Sequence, residues 1–161
     1  MTNLVPLKSM SLNDVTVMNV QPWKPIVYTT HGWTLPVAVA NLRYAPTDPG
    51  VYVEFKDGGL ISIGYSSRRL GLAVRLDEHR IELYRHNRDE LDRFAFSWLA
   101  LRPHLVSAAH VEAYLLEQFQ GLHSRDAKRG YVFQRVYLEI EAGLRQIVQL
   151  AETNGKLVRA N

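Results

Sequence analysis

Two residues near the middle of the chain have the types and the spacing to do chemistry together. Arg75 and His79 lie four positions apart, so on a helix their side chains share one face. A guanidinium is a planar fork that matches the oxygens of a phosphate. An imidazole holds or moves a proton near neutral pH. Immediately upstream, Val51-Tyr52-Val53-Glu54-Phe55 and Leu60-Ile61-Ser62-Ile63-Gly64 read as two strands joined by Lys56-Asp57-Gly58-Gly59. Asp-Gly between such runs is a strong hairpin signal. Simple alternation puts Ile61 and Ile63 on one face of the returning strand and Leu60, Ser62 and Gly64 on the other. A hairpin followed by a helix that presents a cation and an imidazole beside it is arranged as a site. Residue type alone still leaves Arg75 readable as a surface arginine and His79 as a structural histidine.

The elements around this pair follow from pattern. Residues 1–35 form an N-terminal extension in which Val15–Val20 and Ile26–Thr30 read as strands, a small hairpin added to a sheet edge. Thr34, followed by Leu35-Pro36, is a helix-start signal, and Val37–Leu42 continue that helix for about two turns. The loop Pro46-Thr47-Asp48-Pro49-Gly50 then stops it. After His79, the mixed charges of Arg80 to Arg93 predict a solvated helix or loop. Phe94–Leu101 is a buried third strand, ended by Pro103.

A helix from Ser107 or His110 to about Leu122 carries Val111, Tyr114, Leu115, Phe119 and Leu122 on its core face, with Glu117 on the flank of that stripe. A C-terminal helix over 132–154 carries Tyr137, Ile140, Leu144, Ile147, Val148 and Ala151 on one face and ends at Asn154-Gly155. That stripe either caps the sheet or builds a homodimer. The expected fold is α/β (α+β), a small mostly antiparallel sheet flanked by helices, in a single domain over 1–161.

Composition narrows the chemistry. The chain has 161 residues, 47% of them apolar and 22% charged, the balance of an ordinary globular protein with a core of its own. With no cysteine, disulfides, zinc-thiolate sites and thiol catalysis are excluded. No apolar run approaches the roughly 18 residues of a membrane span, and the N-terminus lacks the pattern of a signal peptide, so a cytoplasmic protein with no membrane partner is expected. The net charge of +3 leans toward an anionic partner. The six histidines never form a metal-binding spacing with a carboxylate on one predicted helix. There is no Gly-x-Ser-x-Gly, phosphate-binding glycine loop or dinucleotide fingerprint.

Ala45-Pro46-Thr47-Asp48-Pro49-Gly50-Val51-Tyr52, the Ser62-Ile63-Gly64 strand, Arg75-x-x-x-His79 and Glu112-Ala113-Tyr114-Leu115-Leu116-Glu117 occur in that order. Together they resemble the GIY-YIG endonuclease superfamily over roughly residues 36–122. The likeness is strongest to the N-terminal nuclease domain of bacterial excision-repair endonucleases, and R-x-x-x-H is similar to restriction-type members. The resemblance implies a GIY-YIG-like core that hydrolyses DNA phosphodiesters with Mg2+ or Mn2+. Tyr52 would stand beside the attacking water, Arg75 would grip the scissile phosphate and His79 would orient or deprotonate the water or a tyrosine. Glu117 would hold the metal. Tyr65, Arg68, Arg69 and Arg80 would bind the DNA backbone. As a base near pH 7, a phenol with a reference pKa of about 10 requires cationic neighbours.

The sequence departs from the family pattern at four places. Ser62 stands where the second tyrosine is expected, and Tyr65 where the repair enzymes often have lysine. The interval from Gly64 to Arg75 is about three residues longer than in those enzymes, so Arg68 and Arg69 are alternative counterparts of Arg75. No asparagine lies between Glu117 and Gln134, where the family commonly has one. The alternative reading is a catalytically decayed GIY-YIG-like module for nucleic-acid binding or protein interaction.

Overall fold

A computed structural model describes residues 17–18, 25–66, 69–121 and 134–160. Strands β1 (Val17–Met18) and β2 (Tyr28–Thr29) pair antiparallel as a two-stranded sheet of their own. Among the described residues, the N-terminal extension is therefore β but adds no strand to the edge of the main sheet.

The main sheet begins where a helix is expected. Val37–Ala38 form strand β3, and the following turn, Val39–Tyr44, is 3-10 rather than α. Thr34 does not cap a helix. It is fully buried, its hydroxyl accepts the Trp98 N–H at 3.2 Å and its own N–H donates to the Trp98 carbonyl at 3.0 Å. The sheet takes the hydrogen-bonding groups that a helix N-terminus would have used.

Strands β4 (Gly50–Lys56), β5 (Gly59–Ser66) and β6 (Phe94–Ala100) complete a four-stranded antiparallel sheet in the order β3-β6-β4-β5. The β4–β5 turn has Asp57 at φ 53° and Gly58 at φ 82°, the two positive values a type I′ turn demands. The register shifts between Glu54, opposite Ser62, and Phe55, opposite Leu60. Ile61 is thus the extra residue of a bulge and remains 47% exposed. Leu60 and Ile63, not Ile61 and Ile63, face the core together, because the bulge resets the alternation.

Helix α1 (Gly71–His86) follows β5. Its first amides are satisfied by the proline loop: Leu72 N–H donates to the Asp48 carbonyl at 2.9 Å and Ala73 N–H to the Pro46 carbonyl at 2.7 Å. A side chain at Gly71 (φ +71°) would meet the Thr47 carbonyl oxygen at 2.3 Å, so this closure requires glycine. Leu72, Leu76 and Leu83 pack with Val39, Leu42, Phe96 and Trp98 on one face of the sheet. Full burial of each such leucine stabilises by about 1.5–3 kcal/mol. A 3-10 segment, Arg88–Arg93, leads into β6.

On the opposite face lie α2 (Ala108–Gln120) and α3 (Val136–Ala160). Ser107 caps α2, its hydroxyl accepting the His110 N–H, and Gly121 at φ +62° ends it. Val51, Val53, Phe55, Leu99, Val111, Tyr114, Tyr137, Ile140, Leu144 and Ile147 form this second core. The apolar stripe of α3 covers its own sheet, so it does not point to a dimer. The helix also runs through Asn154-Gly155 to Ala160 instead of stopping there. One interior glycine disfavours a helix by only about 1 kcal/mol, and each following residue adds an intrahelical hydrogen bond. Among the described residues no helix is long and apolar enough to cross a membrane.

Candidate active site at the sheet edge

Tyr52 lies opposite Gly64 in β5 and Trp98 in β6, with its side chain on the α1 face of the sheet. The ring crosses directly over Gly64, where a Cβ would come within 2.4 Å of both Cζ and Oη. Its hydroxyl is 2.8 Å from Nε2 of His79. The imidazole stands edge-on to the phenol at 5.1 Å between centroids and 5.5 Å from the Phe96 ring. One turn earlier on α1, Arg75 pairs with Glu78 at 2.9 Å, and its positive charge favours the ionised form of the Tyr52 phenol. The four-residue spacing thus delivers both side chains to one tyrosine. Arg75, not Arg69, is the cation at Tyr52, and Arg68 lies outside the described residues.

Burial pushes the Tyr52 phenol above its ordinary value of 10.0. The Arg75 guanidinium pulls partly the other way, while Glu112 and Glu54 add to the rise. Burial also lowers His79 from 6.5; Arg75 adds to the fall, and Glu78 and Glu82 oppose it. At neutral pH the phenol is therefore protonated and the imidazole is neutral. With hydrogen on Nδ1, His79 accepts the Tyr52 O–H at Nε2. On this face, Glu54 has its carboxyl raised by burial and accepts the Ser62 hydroxyl at 3.3 Å.

These groups open into a groove of about 600 Å³ lined by Tyr52, Ser62, Gly64, Tyr65, Leu70, Arg75, Glu78, His79 and Glu112. Strand β5 is an edge strand, and the groove passes over that edge from α1 on one face to Glu112 of α2 on the other. Tyr65, next to Gly64, points to the α2 face by the pleat and is 36% exposed.

Glu117 is not among the lining residues; Glu112, which opens the same Glu-Ala-Tyr-Leu-Leu-Glu stretch, takes that place. Five residues turn a helix by about 140° beyond a full revolution, so the two carboxylates leave α2 on different sides. Glu112 carried a signal of its own, since it too lies off the apolar stripe. Arg80 donates to Asp77 at 2.7 Å, lies over the Tyr84 ring and does not line the groove. Arg69 is exposed beside Leu70. Glu78 and Leu70 are groove residues without a spacing that marks them in the sequence.

No group of three or more His, Asp or Glu residues among the described residues is placed to hold a metal. A smaller, mostly apolar hollow of about 200 Å³ beside the hairpin turn contains Phe55, Arg93, Phe94 and Ala151. Its Arg93 is clamped by Asp57 and Glu90, so it offers no acid–base pair. No protein-family model, curated protein or solved structure matches the chain.

Proposed function

We propose that this chain is a divalent-metal-dependent DNA endonuclease of the GIY-YIG type, acting in the cytoplasm. The observation that carries the proposal is the Tyr52 hydroxyl held 2.8 Å from neutral His79, in an open groove that the Arg75 guanidinium also lines. A phosphodiester hydrolase must activate water and stabilise charge on the phosphoryl oxygens. Tyr52 orients the attacking water, and as its oxygen accepts a water proton its own proton passes to Nε2 of His79. Arg75 binds a non-bridging phosphate oxygen through its fork.

Glu112 fits the role of metal carboxylate, because Mg2+ is commonly held by one or two carboxylates and several waters rather than by an all-protein cage. Bound there, Mg2+ or Mn2+ would supply Lewis-acid stabilisation of the phosphoryl charge and of the leaving oxygen. The test is nicking of supercoiled plasmid at low salt with either metal, beside Tyr52→Phe, Glu112→Ala and Glu117→Ala. Nicking lost in the first two and kept in the third supports the assignment. Nicking that survives both Tyr52→Phe and Glu112→Ala refutes it.

One observation favours the second reading, a binding module without cleavage. Where the resemblance expects a tyrosine, the Ser62 hydroxyl is engaged by Glu54 and is too short to reach across the groove. That reading predicts DNA binding with no nicking under either metal.

A further inference from the structure

Phosphate chemistry leaves the apolar rim of the groove unexplained. Tyr65 and Leu70 are 36% and 52% exposed, and both line the groove that holds Tyr52, Arg75 and Glu112. Scattered apolar residues on a surface need no explanation. Two on the wall of one groove, beside a guanidinium and two carboxylates, do. The strand that carries Tyr65 is an edge strand among the described residues, so its ring has a neighbouring strand, β4, on one side only.

A paired, stacked duplex offers such a groove only sugars and phosphates. The π-face of a base becomes available only when that base is unstacked, and tyrosine is a usual partner for it. Gly64 and Tyr65 are successive residues whose directions alternate. The chain thus sets the Tyr52 hydroxyl over one side of the β5 edge and a free phenol ring on the other. A strand crossing that edge would meet the water-activating group and the ring within about one nucleotide spacing.

We infer that Tyr65 is a stacking platform for an unpaired base beside the scissile phosphate, and that the substrate is single-stranded or locally unpaired DNA. Leu70 walls the same base, and Arg69 and Arg75 hold the flanking phosphates. The inference rests on the proposal that the groove binds DNA, but it is tested by binding, not by cleavage.

The experiment uses the full chain in EDTA. Fluorescence anisotropy compares a labelled single-stranded oligonucleotide with the blunt duplex of the same sequence, for the parent, Tyr65→Ala, Tyr65→Phe and Arg75→Ala. The parent should prefer the single strand. Tyr65→Ala should weaken single-strand binding on the order of tenfold, with the duplex and the salt slope unchanged. Tyr65→Phe, which keeps the ring, should bind as the parent does. Arg75→Ala should reduce the salt slope by about 0.7, the value of one single-strand phosphate contact.

Equal binding of the two DNA forms, a neutral Tyr65→Ala or a Phe variant as weak as the Ala variant would each overturn the inference. Nicking of fully paired DNA without single-strand preference would refute stacking and keep the nuclease. Single-strand preference without nicking would keep stacking and refute the nuclease.

Discussion

Replacing Gly64 with alanine should disable the site without touching any group that does chemistry. The new Cβ would lie 2.4 Å from Cζ and Oη of Tyr52, whereas carbon atoms rest at about 3.5–4.0 Å. The phenol must therefore move by about 1 Å. It is only 2% exposed and packs with Leu72, Leu76 and Trp98, so it has no room to yield by a simple rotation. Moving the hydroxyl that far takes the 2.8 Å contact with His79 beyond hydrogen-bond range. Overpacking of this kind destabilises by about 1–3 kcal/mol, and a 1 Å misplacement of a reacting group lowers rate by about a hundredfold.

Gly59→Ala is the matched control, since its Cβ would meet only the Lys56 carbonyl oxygen at an ordinary 3.6 Å. Urea unfolding and plasmid nicking should separate the two: Gly64→Ala loses stability and activity, and Gly59→Ala stays close to the parent. The His79 ring resonances should shift in Gly64→Ala alone. If Gly64→Ala retains parental stability and an unmoved His79 environment, the claim that Tyr52 lies across Gly64 is wrong.

His79 makes stability pH-dependent in a defined sense. Its folded pKa lies below the ordinary 6.5, so the unfolded chain binds the proton more readily, and the stabilisation present above about pH 6.5 is lost as pH falls through the folded value. Thermal melts between pH 7 and 5 should show this decline and His79→Gln should flatten it; an NMR titration midpoint at or above 6.5 for His79 would contradict it. Glu112→Gln should abolish Mn2+-induced paramagnetic broadening of groove resonances and Glu117→Gln should not, and the reverse pattern would restore Glu117 as the metal carboxylate. Leu76→Ala, at a fully buried position under α1, should lower stability by about 2–5 kcal/mol in urea unfolding, and a change under 1 kcal/mol would mean α1 is not anchored on the sheet as described.

Local pattern determined a good deal of this protein. Asp57-Gly58 marked the hairpin because only a few residue types tolerate two successive positive φ values. The spacing of Arg75 and His79 placed them on one helix face, and the stripe from Tyr137 to Ala151 announced an amphipathic helix, since both follow from the helical repeat alone; that the stripe covers the sheet was decided by packing. The strand Phe94–Leu101 was legible as a short, almost continuous apolar run of aromatic and aliphatic residues ended by Pro103.

Tertiary structure decided whatever depended on a partner distant in the chain. Thr34 has the hydroxyl of a helix cap, yet Trp98, far along the sequence, claims it for the sheet. The bulge that expels Ile61 is a matter of register between strands, which alternation within one strand does not encode. The resemblance points to Glu117 as the metal carboxylate; the docking of α2 against β5 brings Glu112 to the groove instead. Tyr52 becomes more than a strand tyrosine only when Gly64 leaves room for its ring and α1 brings His79 to its oxygen and Arg75 to the same groove. Residue types and periodicities are properties of a segment, while hydrogen-bond partners, burial and shifted proton affinities belong to the packed whole.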